Sequence, residues 1–259
     1  MTISDDMREN LKHAAEIIRS SNYTVVLTGA GISTPSGIPD FRSPSSGLWE
    51  RYDPFEVASL NAFRYHPEKF FNWMRPLARD IHAAKPNPAH IGLAQLEQAG
   101  YIQTIITQNI DELHQRAGSS NVLEVHGSLR TLTCIGCFLK YESIDFIQPY
   151  LEEGLIPHCP SCGKILKPNV ILFGEQLPAQ TWLQAQASCQ LCELMIVVGS
   201  SLEVLPVAGL PMRALENGAH LIIINQTQTY ADVRADIVLA HDVALVIPLL
   251  VDEVLSDRA

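Results

Sequence analysis

The stretch Thr24-Val-Val-Leu-Thr-Gly-Ala-Gly-Ile-Ser-Thr34 decides the architecture. Thr24 to Thr28 is a short run that is apolar on both faces and rich in β-branched residues, and Gly29-Ala-Gly31 stops it. A strand without a polar face has to be covered on both sides, which is the situation of a strand inside a parallel sheet. The same pattern of apolar run and loop recurs at Ile102 to Thr107, Val122 to Val125, Leu194 to Val198 and Leu221 to Ile224. Between the runs lie helical periods. Asp5 to Ser20 carries Met7, Leu11, Ala14, Ala15, Ile17 and Ile18 on one face, with Ser4 or Asp5 as cap, and Pro88 to Gln98, Ile110 to Ala117 and Val207 to Asn217 follow. The pattern predicts an α/β fold with a Rossmann-like parallel sheet. In such sheets ligands bind beyond the carboxyl ends of the strands, so Gly29, Gln108, His126, Gly199-Ser-Ser201 and Asn225 are expected to converge on one crevice.

Two segments interrupt the alternation. Ser43 to Lys85 holds Pro44, Pro54, Pro67, Pro76, Trp49 and Trp73 and reads as a helical excursion; Ser128 to Pro168 holds two cysteine pairs and few long apolar runs. Together they predict a smaller helical and zinc-ribbon domain (43–85 and 128–168) inserted twice into the nucleotide-binding domain (1–42, 86–127 and 169–259). The 259 residues are enough for this, and 47% hydrophobic with 18% charged residues is a globular composition. The longest apolar stretches, Leu194 to Val198 and Val243 to Val251, are shorter than a membrane-spanning helix. The acidic, polar start lacks the pattern of a secretory signal, so a cytoplasmic protein is expected. A net charge of −10 argues against direct nucleic-acid binding, which needs clustered positive charge, and favours basic partners.

Cys134-Ile-Gly-Cys137 and Cys159-Pro-Ser-Cys162 are two Cys-x2-Cys knuckles with 21 residues between them, the pattern of a four-thiolate zinc ribbon. Four thiolates leave tetrahedral zinc no open position, so one structural zinc, outside the chemistry, is expected. Cys189-Gln-Leu-Cys192 has the same spacing but sits at a helix end running into a strand, and reads as a pair of core thiols, with a redox disulfide as the alternative. His158, beside Cys159, is a weaker alternative ligand.

Gly29-Ala-Gly31-Ile-Ser-Thr34 begins like the dinucleotide fingerprint, but Thr34 stands at the third glycine. Its amides form an expected anion cradle, with Ser33, Thr34 and Arg42 as further donors to a pyrophosphate. No acidic residue ends a second strand about 20 residues on, so the nucleotide must be held differently from a dehydrogenase's.

The run Gly29-Ala-Gly-Ile-Ser-Thr-Pro-Ser-Gly-Ile-Pro-Asp-Phe-Arg42, with Thr107-Gln-Asn-Ile-Asp111, His126-Gly127, the two knuckles, Phe173-Gly-Glu175 and Gly199-Ser-Ser201, resembles the sirtuins, NAD-dependent protein-lysine deacylases. The motifs span nearly the whole chain in the family's order. The resemblance implies NAD as co-substrate and acylated-lysine proteins or peptides as partners, with both entering a cleft between the two domains. In the family's chemistry the acyl oxygen attacks C1′ of the NAD ribose, nicotinamide leaves, and the acyl group ends on ADP-ribose. His126 then matches the general base and Asn109 a second catalytic position. An imidazole suits that task because its unperturbed pKa, about 6.5, lies near operating pH.

The nucleotide positions implied are Gly29, Ala30, Gly31, Ser33, Thr34, Asp40, Phe41 and Arg42 in the loop, and Gln108, Asn109, Ile110 and Asp111 beside the ribose and carboxamide. Gly199, Ser200, Ser201, Asn225, Asp242 and Val243 complete the set around phosphates, second ribose and adenine. Asp111 also suits capping of the helix that follows. Val170, Phe173, Gly174, Glu175, Val204 and Leu205 match the stretches between which the peptide lies as an added strand, a mode that reads backbone more than side chains. His90 and His114 read as structural. Sirtuins that prefer acidic acyl groups share a Tyr-x-x-Arg pair in the first insertion; here Phe70-Phe-Asn-Trp-Met-Arg75 lacks it, which favours acetyl or longer apolar groups. Mono-ADP-ribosyl transfer shares the first step and is the alternative reading. An NAD oxidoreductase and a zinc-ribbon nucleic-acid binder fit fewer of the motifs.

Overall fold

The computed structural model describes residues 4–41, 43 and 47–256. The run that opens the sequence reading is β1 (Thr24–Thr28), at the centre of a six-stranded parallel sheet. Its other members are β2 (Thr104–Thr107), β3 (Val122–Glu124), β7 (Leu194–Val198), β8 (His220–Ile224) and β9 (Ile237–Leu239), in the order β3-β2-β1-β7-β8-β9. β9 is a strand the sequence reading did not include, because three residues are too few to show a period.

Alternation along the central strands fills two cores. Val26, Ile105, Ile196 and Ile222 face α1 (Asp5–Ser20), α5 (Pro88–Gln98) and α10 (Val243–Leu255). Val25, Leu27, Ile106, Met195 and Ile223 face α8 (Ala179–Leu191) and α9 (Leu210–Glu216). Each such fully buried side chain contributes roughly 1.5–3 kcal/mol of burial free energy. Ser4, outside α1, accepts from Met7 N at 3.2 Å and is the cap.

The two interrupting segments fold as expected from their composition. The first makes α2 (Pro54–Val57), α3 (Leu60–Tyr65) and α4 (Pro67–Ala83). The second gives a three-stranded antiparallel sheet, β5-β4-β6, from β4 (Gly127–Cys134), β5 (Lys140–Glu142) and β6 (Leu166–Val170), with α7 (Ile144–Glu153). α4 and α7 share one aromatic-rich core in which Phe70, Phe71 and Trp73 meet Tyr150 and Leu151. Ile110 to Ala117 is helical only over α6 (Leu113–Arg116), since Ile110 and Asp111 stay in the loop that leaves β2.

Strand order reverses between β1 and β7, and the loops after them meet there. Gly31 N–H donates to Gly199 O at 2.9 Å. Gly199 adopts φ +59°, and a Cβ on it would lie 2.3 Å from Ile32 N, so only glycine lets the two backbones approach this closely.

Candidate active site

At this reversal point the described residues expected to hold nucleotide and peptide all line one cavity of about 1080 Å³. Arg42 lies outside the described residues. The cavity runs from Gly29, Ala30 and Thr34 past Gln108, Asn109 and His126 to Val170, Phe173 and Gly174 on one side and Val204 and Leu205 on the other. Asn225, Asp242 and Val243 close the far end, and Phe41, stacked on Trp49 at 5.1 Å, lies near the middle.

The glycine loop departs from an open anion cradle. Gly29, Gly31, Ile32 and Ser33 already donate their amides to Val198, Gly199, Gly29 and Ala30 carbonyls. Thr34 Oγ1 donates to Gly31 O at 3.0 Å, and Ser33 Oγ donates to Asp111 Oδ2 at 2.6 Å. Ala30 and Thr34 are the loop residues through 34 whose amides no described carbonyl receives. The tight 3-10 turn over Ala30–Ile32 consumes the Ile32 and Ser33 amides, and the close approach of the chain at Val198 and Gly199 consumes those of Gly29 and Gly31.

The loop after β2 is held just as firmly. Gln108 Nε2 donates to Ser200 Oγ at 2.9 Å, and Asn109 Nδ2 donates to Gly29 O at 3.0 Å and Ser33 Oγ at 3.1 Å. Asp111 accepts from Ser33 and, at 2.9 Å, from Leu113 N, so it does cap the following helix. Burial raises its pKa above the ordinary carboxylate value, a shift that the hydrogen bonds from Ser33 and Leu113 oppose.

His126 Nδ1 lies 3.1 Å from Gln108 O. A carbonyl only accepts, so Nδ1 carries a proton, and in the neutral form of the ring the lone pair is on Nε2. Several residues on the cavity wall are tied back into the fold. Asp242 Oδ1 caps α10, accepting from Ala244 N at 2.8 Å; Asn225 Nδ2 donates to Thr227 O at 2.8 Å; Asp40 accepts from Ser43 N at 2.7 Å. Glu175 faces Lys167 at 3.0 Å and accepts from Leu172 N, bracing the loop that presents Phe173 and Gly174.

Sequence reading missed one wall. Trp73, Met74, Leu77 and Ile81 on α4 line the same cavity. Their spacing of one, three and four residues is a helical stripe, legible as apolar but not assignable to a site without knowing what α4 faces.

The four knuckle cysteines place their Sγ atoms within 4.8 Å of one another. Gly136 and Cys137 amides donate to Cys134 Sγ at 3.3 and 3.4 Å, as expected of donors to a metal-bound thiolate. Four soft thiolates converging in this way fit zinc. His158 is outside the cluster, its Nδ1 at 2.7 Å from Ile156 O. Cys189 and Cys192 are buried between α8 and the sheet, where burial pushes their thiols up to about 12 and about 11; they are core thiols.

A parallel sheet with a nucleotide-type crevice at its switch point, a half-buried histidine aimed by a backbone carbonyl and a four-thiolate cluster define a class: a Rossmann-like protein carrying a zinc ribbon. The Sir2 family model matches residues 29–206, and the chain belongs to that family. It is 45% identical over 249 residues to the NAD-dependent protein deacylase 2 of Archaeoglobus fulgidus, covering 96% of this chain and 97% of that protein. A structure described as the structural basis for the mechanism and regulation of Sir2 enzymes superposes with a TM-score of 0.92 at 44% identity, covering 97% of this chain and all of that one. A Sir2 variant with deacetylated p53 peptide and 3′-O-acetyl-ADP-ribose superposes with a TM-score of 0.89 at 40% identity, over 94% of this chain and 98% of that one.

Proposed function

We propose that this chain is an NAD-dependent protein-lysine deacylase that moves the acyl group of an acyl-lysine onto ADP-ribose and releases nicotinamide. The carrying observation is the pairing of His126 Nδ1 with Gln108 O, which puts the lone pair of the neutral ring on Nε2 in the wall of the crevice. NAD, when bound, supplies the ribose that accepts the acyl group. His126 takes a ribose hydroxyl proton at Nε2 and so makes that oxygen nucleophilic. Asn109 orients the ribose from a side chain whose own amide is fixed by Gly29 and Ser33. Asp111 accepts from the nicotinamide carboxamide, and Phe41 keeps water from the reacting carbon. Ala30 and Thr34 offer amides to the phosphates, while Gly29, Gly31 and Gly199 shape the turn. Arg42 neutralises phosphate charge, and Asp40 holds the loop. Gln108, Ser200, Ser201, Asn225, Asp242 and Val243 line the rest of the nucleotide path, with Ile110 as an apolar wall.

The peptide lies between Val170, Phe173, Gly174 and Glu175 and the facing Val204 and Leu205. Met74 and Leu77, one helical turn apart, present apolar side chains to the cavity, which favours an apolar acyl group. One zinc on Cys134, Cys137, Cys159 and Cys162 locks the three-stranded sheet and takes no part in the reaction. We assign residues 1–42, 86–127 and 169–259 to the NAD-binding domain and 43–85 and 128–168 to the smaller one. We place the protein in the cytoplasm, where cysteines that form no disulfide stay reduced; no helix among the described residues is long and apolar enough to cross a membrane.

The test is incubation with NAD and an acetyl-lysine peptide, with products read by mass. Nicotinamide release that depends on the acetyl group, together with acetyl-ADP-ribose, is expected. Release without the acetyl group, or ADP-ribose attached to the peptide, overturns the reading in favour of ADP-ribosyl transfer. His126→Ala is expected to bind NAD and lose deacylation.

A further inference from the structure

Two buried imidazoles outside the proposed reaction have one ring nitrogen each without a hydrogen-bond partner among the described residues: His90 Nε2 and His114 Nδ1. Their rings are 5.0 Å apart, centroid to centroid, at 63°. A buried polar atom left alone is costly, so a native pair of such atoms calls for a reason.

The other ends of the two rings fix which nitrogen carries which proton. Asn87 N–H donates to His90 Nδ1 at 3.4 Å, within the capping box of α5, so His90 carries its proton on Nε2. Thr28 Oγ1 donates its single proton to Thr107 Oγ1 at 2.8 Å. At 2.9 Å from His114 Nε2 it can then only accept, so His114 carries its proton on Nε2 and a lone pair on Nδ1. The two unpartnered atoms are therefore a donor on His90 and an acceptor on His114. Burial holds both rings neutral, with pKa values lowered to about 3 and about 4.

We propose that His114 is a positioning residue, the middle of a one-directional relay from Asn87 through His90, His114 and Thr28 to Thr107, on which the Gln108 to Asp111 loop is set. The two nitrogens make no direct hydrogen bond, and one water between them would carry His90 Nε2–H to His114 Nδ1 with the same polarity. At the far end Thr107 Oγ1 also receives Asn109 N–H at 3.1 Å. From Asn109 the chain of bonds continues through Ser33 and Asp111 to Leu113, the residue before His114, and so forms a closed ring around the loop. Loss of the Nε2–H donor frees Thr28 to turn its hydroxyl and loosens the acceptor that seats Asn109. The bearing on catalysis rests on the deacylase reading; the polarity does not.

Two measurements on the full-length, zinc-loaded protein separate these parts. Nitrogen-15 imidazole spectra of the wild type are expected to show His90 and His114 as neutral rings protonated on Nε2, each N–H protected from exchange. Protonation of His114 on Nδ1, or a rapidly exchanging N–H, overturns the relay whether or not the protein deacylates. Kinetically, His114→Leu is expected to lower kcat for an acetyl-lysine peptide by roughly tenfold or more while peptide KM moves less than about twofold. His114→Gln, which keeps an amide donor in the place of Nε2–H, is expected to restore most of kcat. Thr28→Val gives the same loss as His114→Leu and serves if that variant does not fold. Wild-type kcat in both His114→Leu and Thr28→Val, or no rescue by Gln, overturns the positioning role.

Discussion

Ser33 Oγ donates to Asp111 Oδ2 at 2.6 Å across the 78 residues that separate them in the chain. Ser33 is 1% exposed and Asp111 5%, so neither answers directly to bulk water. This bond joins the glycine loop after β1 to the Gln108 to Asp111 loop after β2 and fixes the carboxylate that the proposed reaction uses as an acceptor.

Asp111 has a folded-state pKa above its unfolded value. Its ionised form therefore costs stability as pH rises through that interval, and the acceptor itself is lost as pH falls through the raised value. The acid limb of kcat/KM for NAD is expected above the ordinary carboxylate range. Ser33→Ala removes a bond that lowers this pKa, so the limb moves to higher pH. A pH profile of the two proteins checks this, and a limb that stays in place refutes it.

His90 and His114 have folded pKa values depressed well below the unfolded histidine value of about 6.5. The unfolded chain then binds more protons between those values, and stability is lost as pH falls from about 6.5 toward 4. At the steepest each ring contributes about 1.4 kcal/mol per pH unit. Urea unfolding at steps between pH 7 and pH 4.5 measures it. His114→Gln is expected to flatten the slope.

Met74 and Leu77 predict acyl preference. The wild type should turn over acetyl and longer apolar acyl-lysine peptides at least about tenfold better than succinyl ones, since an unpaired carboxylate against apolar side chains costs several kcal/mol. Met74→Tyr with Leu77→Arg puts a hydrogen-bond donor and a cation one turn apart on that wall and should narrow the gap. Competition between acetyl and succinyl peptides reads both.

Zinc removal should unfold the three-stranded sheet and leave the parallel sheet standing. The cores of the two sheets are separate, and the small one around Cys134, Cys159, Leu132 and Leu166 has few apolar side chains to replace the metal's contribution. A strong chelator or Cys134→Ser is expected to lower thermal stability and strip near-stoichiometric zinc, measured by calorimetry and metal analysis. Native-like melting of metal-free protein contradicts a structural zinc.

The sequence by itself determined the parts whose signal is local. Short two-faced apolar runs give parallel strands because each must be covered on both sides, as Val25 and Val26 are by different helices. Two Cys-x2-Cys knuckles give a metal cluster because two thiolates on one tight turn already share an origin. The convergence of Gly29, Gln108, His126 and Gly199 followed from a general property of such sheets. Tertiary structure alone decided which hydrogen-bonding groups remain available. Four amides of the glycine loop are consumed within the fold, and the Ser33 hydroxyl donates to Asp111. It also decided what α4 faces, because a helical stripe of Trp73, Met74, Leu77 and Ile81 is equally apolar against a core or against a substrate. The tautomers of His114 and His126 belong to this second group: a ring's proton is placed by whichever donor or acceptor packing brings to its other nitrogen, and Thr28 and Gln108 are 86 and 18 residues away in the chain, whereas that of His90 is set locally by Asn87 in the capping box of α5.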